Sequence, residues 1–229
     1  MDPNHLFTAA VEILLLLLAI SVHEGAHAWM ADRCGDPTAR GLGRVTLNPL
    51  RHLDPAGSLI FPGVLIALGL PVFGWGKPTP VVEEKLRRRG RDEILVLAAG
   101  SIANLLLAGL AFIALVVALV VLGPAGREAG TMVIMPPAGQ VVRPETFPLM
   151  FTLVRMVLLN VFLAAFNLIP MPPLDGGQIV LHLLPPDWAA RLAVLRPYGF
   201  MIGVAVALIG VLPLLFLVSG VLIVVINLF

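Results

Sequence analysis

LLLLLAISVHEGAHAWM, residues 14–30, is the stretch on which the reading of this chain turns. An apolar run long enough to enter a bilayer carries His23, Glu24 and His27 at its far end. Residues four apart on an α-helix point the same way, so the imidazoles of His23 and His27 can reach one metal ion, with Glu24 beside them to act on a water. At this chain's own His and Glu frequencies, the pattern His-Glu-any-any-His is expected by chance about 0.003 times, so coincidence is a poor account of it. Ionisable groups within a spanning helix are costly and stand there for function. Two metal ligands and a catalytic base are therefore expected at His23, His27 and Glu24. The run has no preceding positive charges and no small-residue cleavage site after it, so it reads as a retained span.

The composition agrees with a bilayer setting. The chain has 229 residues, 59% of them hydrophobic and 13% charged, and a mean hydropathy of +0.97; soluble domains average about 25% charged residues. The net charge of +1 and the lack of a basic cluster interleaved with aromatics argue against nucleic acid as a partner. Cys34 is the single cysteine, which excludes an internal disulfide and any multi-cysteine zinc site. Histidines and carboxylates remain as metal ligands.

Crossing the hydrocarbon takes about 20 mostly apolar residues. Four segments qualify: Leu6 to Met30, Ile94 to Leu122, Phe147 to Met171, and Tyr198 to Phe229. A fifth apolar stretch, Ser58 to Phe73, is short and broken by Pro62, Gly63, Gly69 and Pro71. Cytoplasmic loops collect Lys and Arg. Arg33 to Arg51 holds four arginines, and Lys77, Lys85, Arg87, Arg88, Arg89 and Arg91 follow the short stretch. Two flanks on one side require a segment that dips in and returns, tolerable where protein or water satisfies its backbone. The region 41–82 is thus expected to be re-entrant, with Gly41 to Thr46 and Trp75 to Val82 as short flanking strands. Gly123 to Thr146, rich in Gly and Pro, is expected to be an extracytoplasmic connector.

A catalytic zinc site usually has three protein ligands and one open position. The third span ends in NLIPMPPLDGG, residues 167–177, at the membrane depth of the histidines. Its prolines break the helix and its glycines permit a tight turn, so Asp175 can be presented inward. Asp175 could also serve as the N-cap of a helix beginning near Gln178. The His-Glu-His motif favours the ligand reading. His52 and Asp54 read as residues of a structural polar turn, although His52 could face the site, and His182 as an interfacial helix residue.

HEGAH in the first span, NPLRHLDPAGS and FGWGKPTPV after it, AGSIANLLLA in the second and NLIPMPPLDGG in the third together resemble the site-2 protease family of intramembrane metalloproteases, in its compact bacterial and archaeal branch. The likeness covers roughly Ser21 to Gly177. It implies zinc held by His23, His27 and Asp175, and Glu24 as the base. It also implies a place for Asn104 near the active site, steadying the oxyanion or substrate; from the sequence alone Asn104 could equally be a helix-packing polar residue. The family's re-entrant β element corresponds to the region 41–82.

The expected protein is an all-α polytopic membrane protein with about four transmembrane helices and a re-entrant β-like segment, one membrane-embedded domain over 1–229. It would bind one Zn2+ per chain and cut membrane-protein substrates in or near their spans. It would sit in a prokaryotic inner membrane, its site toward the cytoplasm, with the bilayer and a membrane-protein substrate as partners. The competing reading is a membrane metal transporter using the same His/His/Asp set; transporters often show paired halves, and no internal repeat is visible here.

Overall fold

The computed structural model describes residues 3–68, 72–135 and 147–228, with side chains from Thr8 onward. Four helical stretches are long and apolar enough to cross a membrane: residues 8–34, 91–122, 148–167 and 196–228. Three of them form the centre of the molecule. Helix α1 (Pro3–Cys34), helix α4 (Arg91–Leu122) and helix α6 (Pro148–Asn167) pack together, with α4 along both of the others.

Between α1 and α4 lie the short helix α2 (Thr38–Gly41), a 3-10 turn (Pro49–Arg51), and a π-turn (Pro55–Ile60) that runs into α3 (Phe61–Ala67). After α4 come α5 (Pro124–Ile134), α6, α7 (Asp175–Leu183) and α8 (Pro186–Ala193). The last crossing consists of α9 (Gly199–Val206), a π-turn (Ala207–Val211) and α10 (Leu212–Leu228).

The sidedness of α4 follows its sequence. Asn104, Ala108, Ala111, Leu115 and Ala118 recur at intervals of three and four and are buried. Leu106, Leu110, Ile113, Val117 and Val121 lie on the opposite side and are exposed. In lipid, burying apolar surface gives helices little reason to associate, so close packing of small residues carries the contact. The alanine stripe lets α6 approach, where Met150, Phe151, Val154 and Val157 fill one core with Leu115 and Leu119. Ala129 and Val133 of α5 join that core, together with Leu222 and Ile226 of α10.

Several expectations are corrected here. No strand is present among the described residues. Gly41 to Thr46 is a closed turn, with the Gly41 amide donating to the Pro37 carbonyl and the Arg44 amide to the Ala39 carbonyl. Residues 72–82 form neither helix nor strand. Pro78 and Pro80 have no N–H to donate, and the nearby carbonyls come from turns: the Trp75 amide donates to Gly57 and the Lys77 amide to His52. The connector after α4 is not all loop, because Pro124 starts α5. The third crossing ends at Asn167, earlier than expected, and the next helix starts at Asp175 and not near Gln178. The expectations resting on Gly69, Pro71 and residues 136–146 of the connector fall outside the described residues.

Candidate metal centre

His23 and His27 lie one helical turn apart on the buried face of α1, 8% and 7% exposed. Each ring is tied at Nδ1 to α4. His23 Nδ1 donates to Asn104 Oδ1 at 2.7 Å, and His27 Nδ1 donates to the Val96 carbonyl at 2.7 Å. A backbone carbonyl only accepts, which fixes His27 as the Nδ1–H tautomer and leaves a lone pair on Nε2. The two Nε2 atoms stand 3.0 Å apart.

Asp175 meets them from the other side. Its Oδ2 lies 3.1 Å from His23 Nε2 and 3.3 Å from His27 Nε2. That oxygen is buried and has no hydrogen-bond partner. The residue occupies the first turn of α7. Gly176 and Gly177, expected to make a turn, instead lie within α7; a Cβ on either would fall 2.2 Å from the Leu168 carbonyl oxygen or 2.1 Å from the Met171 carbonyl carbon. They allow the first turn of α7 to sit against the chain leaving α6, and this seats Asp175.

The three atoms fit a metal ion. Two ring nitrogens with their lone pairs turned inward and one carboxylate oxygen repel one another unless a cation lies among them. Ligand atoms about 2.0–2.1 Å from a tetrahedral zinc stand roughly 3.3 Å apart, against 3.0, 3.1 and 3.3 Å here. Gly100 keeps the space open: a Cβ there would lie 2.5 Å from His27 Nε2 and 2.6 Å from His23 Cε1. No signal in the sequence beyond its place in AGSIANLLLA pointed to Gly100.

Glu24 points into the same cavity, of about 500 Å3, which Asp175, Thr79, Phe166 and Phe200 also line. Its Oε2 accepts a hydrogen bond from the Thr79 hydroxyl at 2.7 Å. Thr79 is held by the pinning of its segment: Arg44 donates to the Lys77 carbonyl, and the Val82 amide donates to Asp36 Oδ2 at 2.7 Å. Gly76 lets that segment pass against α1, since a Cβ would lie 2.5 Å from Ile20 Cγ2 and 3.3 Å from Glu24 Cγ.

Asn104 is wholly buried, and its amide is fully engaged. Oδ1 receives His23, while Nδ2 donates to the Ala19 carbonyl at 3.1 Å and to Asn160 Oδ1 at 2.7 Å. It touches His23 and leaves no donor over for an oxyanion. His52 does not reach the site. It is buried, and its Nε2 donates to the Thr46 carbonyl at 2.9 Å. Burial, with Arg44 nearby, holds its imidazole below the ordinary histidine value. His182 Nδ1 lies 2.9 Å from Glu93 Oε2, a link between α7 and α4. Sequence reasoning passed over Asn160; its signal was a polar residue within an apolar span.

Known proteins match this chain over most of its length. The model of peptidase family M50 matches residues 11–210. YwhC of Bacillus subtilis (strain 168) is 35% identical over 190 residues, which is 83% of this chain and 76% of YwhC. Rip2 of Mycolicibacterium smegmatis is 33% identical over 187 residues, 81% of this chain and 62% of Rip2. Rip2 of Mycobacterium tuberculosis is 28% identical over 186 residues, with 81% and 61% covered. All three carry zinc metalloprotease in their names. The chain spans about three fifths of the length of the two Rip2 proteins. No solved structure matches.

Proposed function

The chain belongs to peptidase family M50, and on that premise we propose that this zinc metalloprotease hydrolyses peptide bonds in or beside the transmembrane segments of membrane-protein substrates. His23, His27 and Asp175 would hold the zinc and Glu24 would act as the base. The observation that carries this reading is the convergence of two imidazole Nε2 atoms and an otherwise unpartnered Asp175 oxygen within 3.3 Å of one another, with Glu24 in the same cavity.

Zinc, when bound, supplies a Lewis acid that polarises a carbonyl and makes water nucleophilic near neutral pH. The remaining work falls to the protein. Glu24 takes a proton from the attacking water at its carboxylate and passes it to the leaving amine. The Thr79 hydroxyl holds that carboxylate in place. Asn104 and the Val96 carbonyl fix the imidazoles so that Nε2 faces the site. Asn104 is then a positioning residue and not an oxyanion donor.

The substrate has to offer an unwound peptide, because a helix buries its peptide bonds in its own hydrogen bonds. The segment 72–82, which forms neither helix nor strand and lies along the cavity, supports capture of such a strand. Its Trp75 and Lys77 amides are used on the side of Gly57 and His52, while Gly74 and Gly76 line the cavity. Backbone pairing to an exposed edge is a common way to hold an extended peptide. The basic residues of the loops favour a re-entrant course for 41–82 and a cytoplasmic site in a prokaryotic inner membrane.

A model single-span substrate, incubated with the purified zinc-loaded protein in lipid and analysed by mass spectrometry, tests the reading. The expected cut lies inside or within a few residues of the span. Cleavage confined to a distant soluble tail would overturn the intramembrane assignment.

A further inference from the structure

Asn160 is fully buried in the middle of α6, does not line the cavity and has no part in the chemistry above. A polar amide in an apolar span is costly unless it is used. Its Nδ2 donates to the Met156 carbonyl at 2.8 Å, and its Oδ1 accepts from Asn104 Nδ2 at 2.7 Å. Asn104 Oδ1 in turn accepts from His23 Nδ1 at 2.7 Å. One chain of hydrogen bonds thus runs from the backbone of α6 through α4 to a metal ligand on α1.

The direction of this chain is fixed at its end. The Met156 carbonyl can only accept, so Asn160 must turn its NH2 toward it. That leaves Oδ1 facing Asn104, which must answer with its own NH2. The Asn104 oxygen then faces His23, and His23 must carry its proton on Nδ1. If the Asn104 amide were reversed, it would offer an N–H to Nδ1, the His23 proton would move to Nε2, and the lone pair that a metal needs would be lost. The Ala19 carbonyl selects the same orientation, but over the longer contact of 3.1 Å.

We propose that Asn160 is a positioning residue of the metal centre, which through Asn104 holds His23 in its metal-binding tautomer. The inference rests on the reading of His23, His27 and Asp175 as a zinc site. Partners one step behind the ligands typically change metal affinity by about 10–100-fold when lost. Because Ala19 provides partial backup, the low end is expected here.

The experiment measures zinc affinity of the full-length purified protein by competition with a chromophoric chelator. Asn160→Leu and Asn160→Ser are compared in two backgrounds, the native chain and Asn104→Asp. Serine can still bond its own helix at the Met156 carbonyl but is too short to reach Asn104, so it breaks the relay with little disturbance should the leucine variant fold poorly. In the native background each substitution is expected to weaken zinc binding roughly tenfold. A carboxylate at position 104 accepts at both oxygens and needs no neighbour to orient it. In the Asn104→Asp background, therefore, the same substitutions are expected to leave zinc affinity essentially where it was.

Unchanged affinity in the native background overturns the proposal, as does an equal loss in both backgrounds, which would mark Asn160 as a packing residue. A native protein that binds no zinc would instead overturn the metal-site reading on which the proposal stands.

Discussion

His23 and His27 sit in the body of a 32-residue helix and are each tied at Nδ1 to a neighbouring spanning helix, whereas Asp175 and Thr79 arrive on segments between the spans. The first half of the centre is held by α1, α4 and α6, where α6 packs against α4 in one apolar cluster and against α1 in another, and whose polar residues at 23, 104 and 160 are buried. The second half is held by particular bonds: Asp36 to the Val82 amide, Arg44 to the Lys77 carbonyl, His182 to Glu93. The two histidines and the groups that orient them thus belong to the helix-held half. Asp175 and the Thr79 partner of Glu24 belong to the other. Binding and turnover are expected to respond differently when each half is disturbed.

The largest effect is expected at Glu24, which stands on α1 but takes its hydroxyl partner from the loop half. Glu24→Gln removes the proton acceptor and should lower turnover by about 10²–10⁴-fold, the usual worth of general acid–base catalysis, with zinc content unchanged. Turnover at the native level, measured on the same single-span substrate, would exclude Glu24 as the base.

Gly100→Ala strikes the helix-held half alone. A methyl 2.5 Å from His27 Nε2 and 2.6 Å from His23 Cε1 forces the imidazoles from their places. Zinc affinity should fall by at least about tenfold, as it does when ligand orientation is lost. A chelator titration that finds native affinity would mean that this half is softer than the comparison holds.

The smallest effect concerns the loop half and its dependence on pH. Asp36 is buried, and burial raises its carboxyl, yet bonds from Thr38 and Val82 and the charge of Lys85 bring it below the ordinary value. A carboxyl lowered on folding stabilises the protein above its unfolded value of about 4, and that stabilisation is lost as pH falls below it. The thermal midpoint of the native protein should therefore drop between about pH 5 and pH 3. Asp36→Asn should start lower at pH 7 and drop less. Parallel curves would show that the Asp36 carboxylate contributes nothing to holding segment 72–82.

The same division explains what could be read from sequence. The helical half was legible because the spacing of His23 and His27 and the apolar length of the spans are set by a regular repeat. The loop half lacks a repeat. Pro78 and Pro80 push their neighbours toward extended backbone, which on paper resembles a strand, while whether a strand partner exists depends on distant turns at Gly57 and His52. Asp175 could be named because HEGAH demanded a third ligand, but the use of Gly176 and Gly177 for close packing inside a helix depends on where α6 stops. The Gly123-Pro124 pair at the start of α5 was a readable helix signal hidden by the Gly and Pro content around it. Asn104 was found by family likeness; its partner Asn160 stands outside any motif and shows its use only when α4 and α6 are side by side.

The central claim is that His23, His27 and Asp175 meet at one zinc ion. X-ray absorption at the zinc edge of the loaded protein, with and without Asp175→Ala, tests it most directly. The account predicts one zinc with two imidazole nitrogens and light-atom ligands at about 2.0–2.2 Å, and no sulfur at about 2.3 Å; in the variant, one oxygen is lost and zinc is held weakly. An identical spectrum and undiminished zinc content in Asp175→Ala would contradict it.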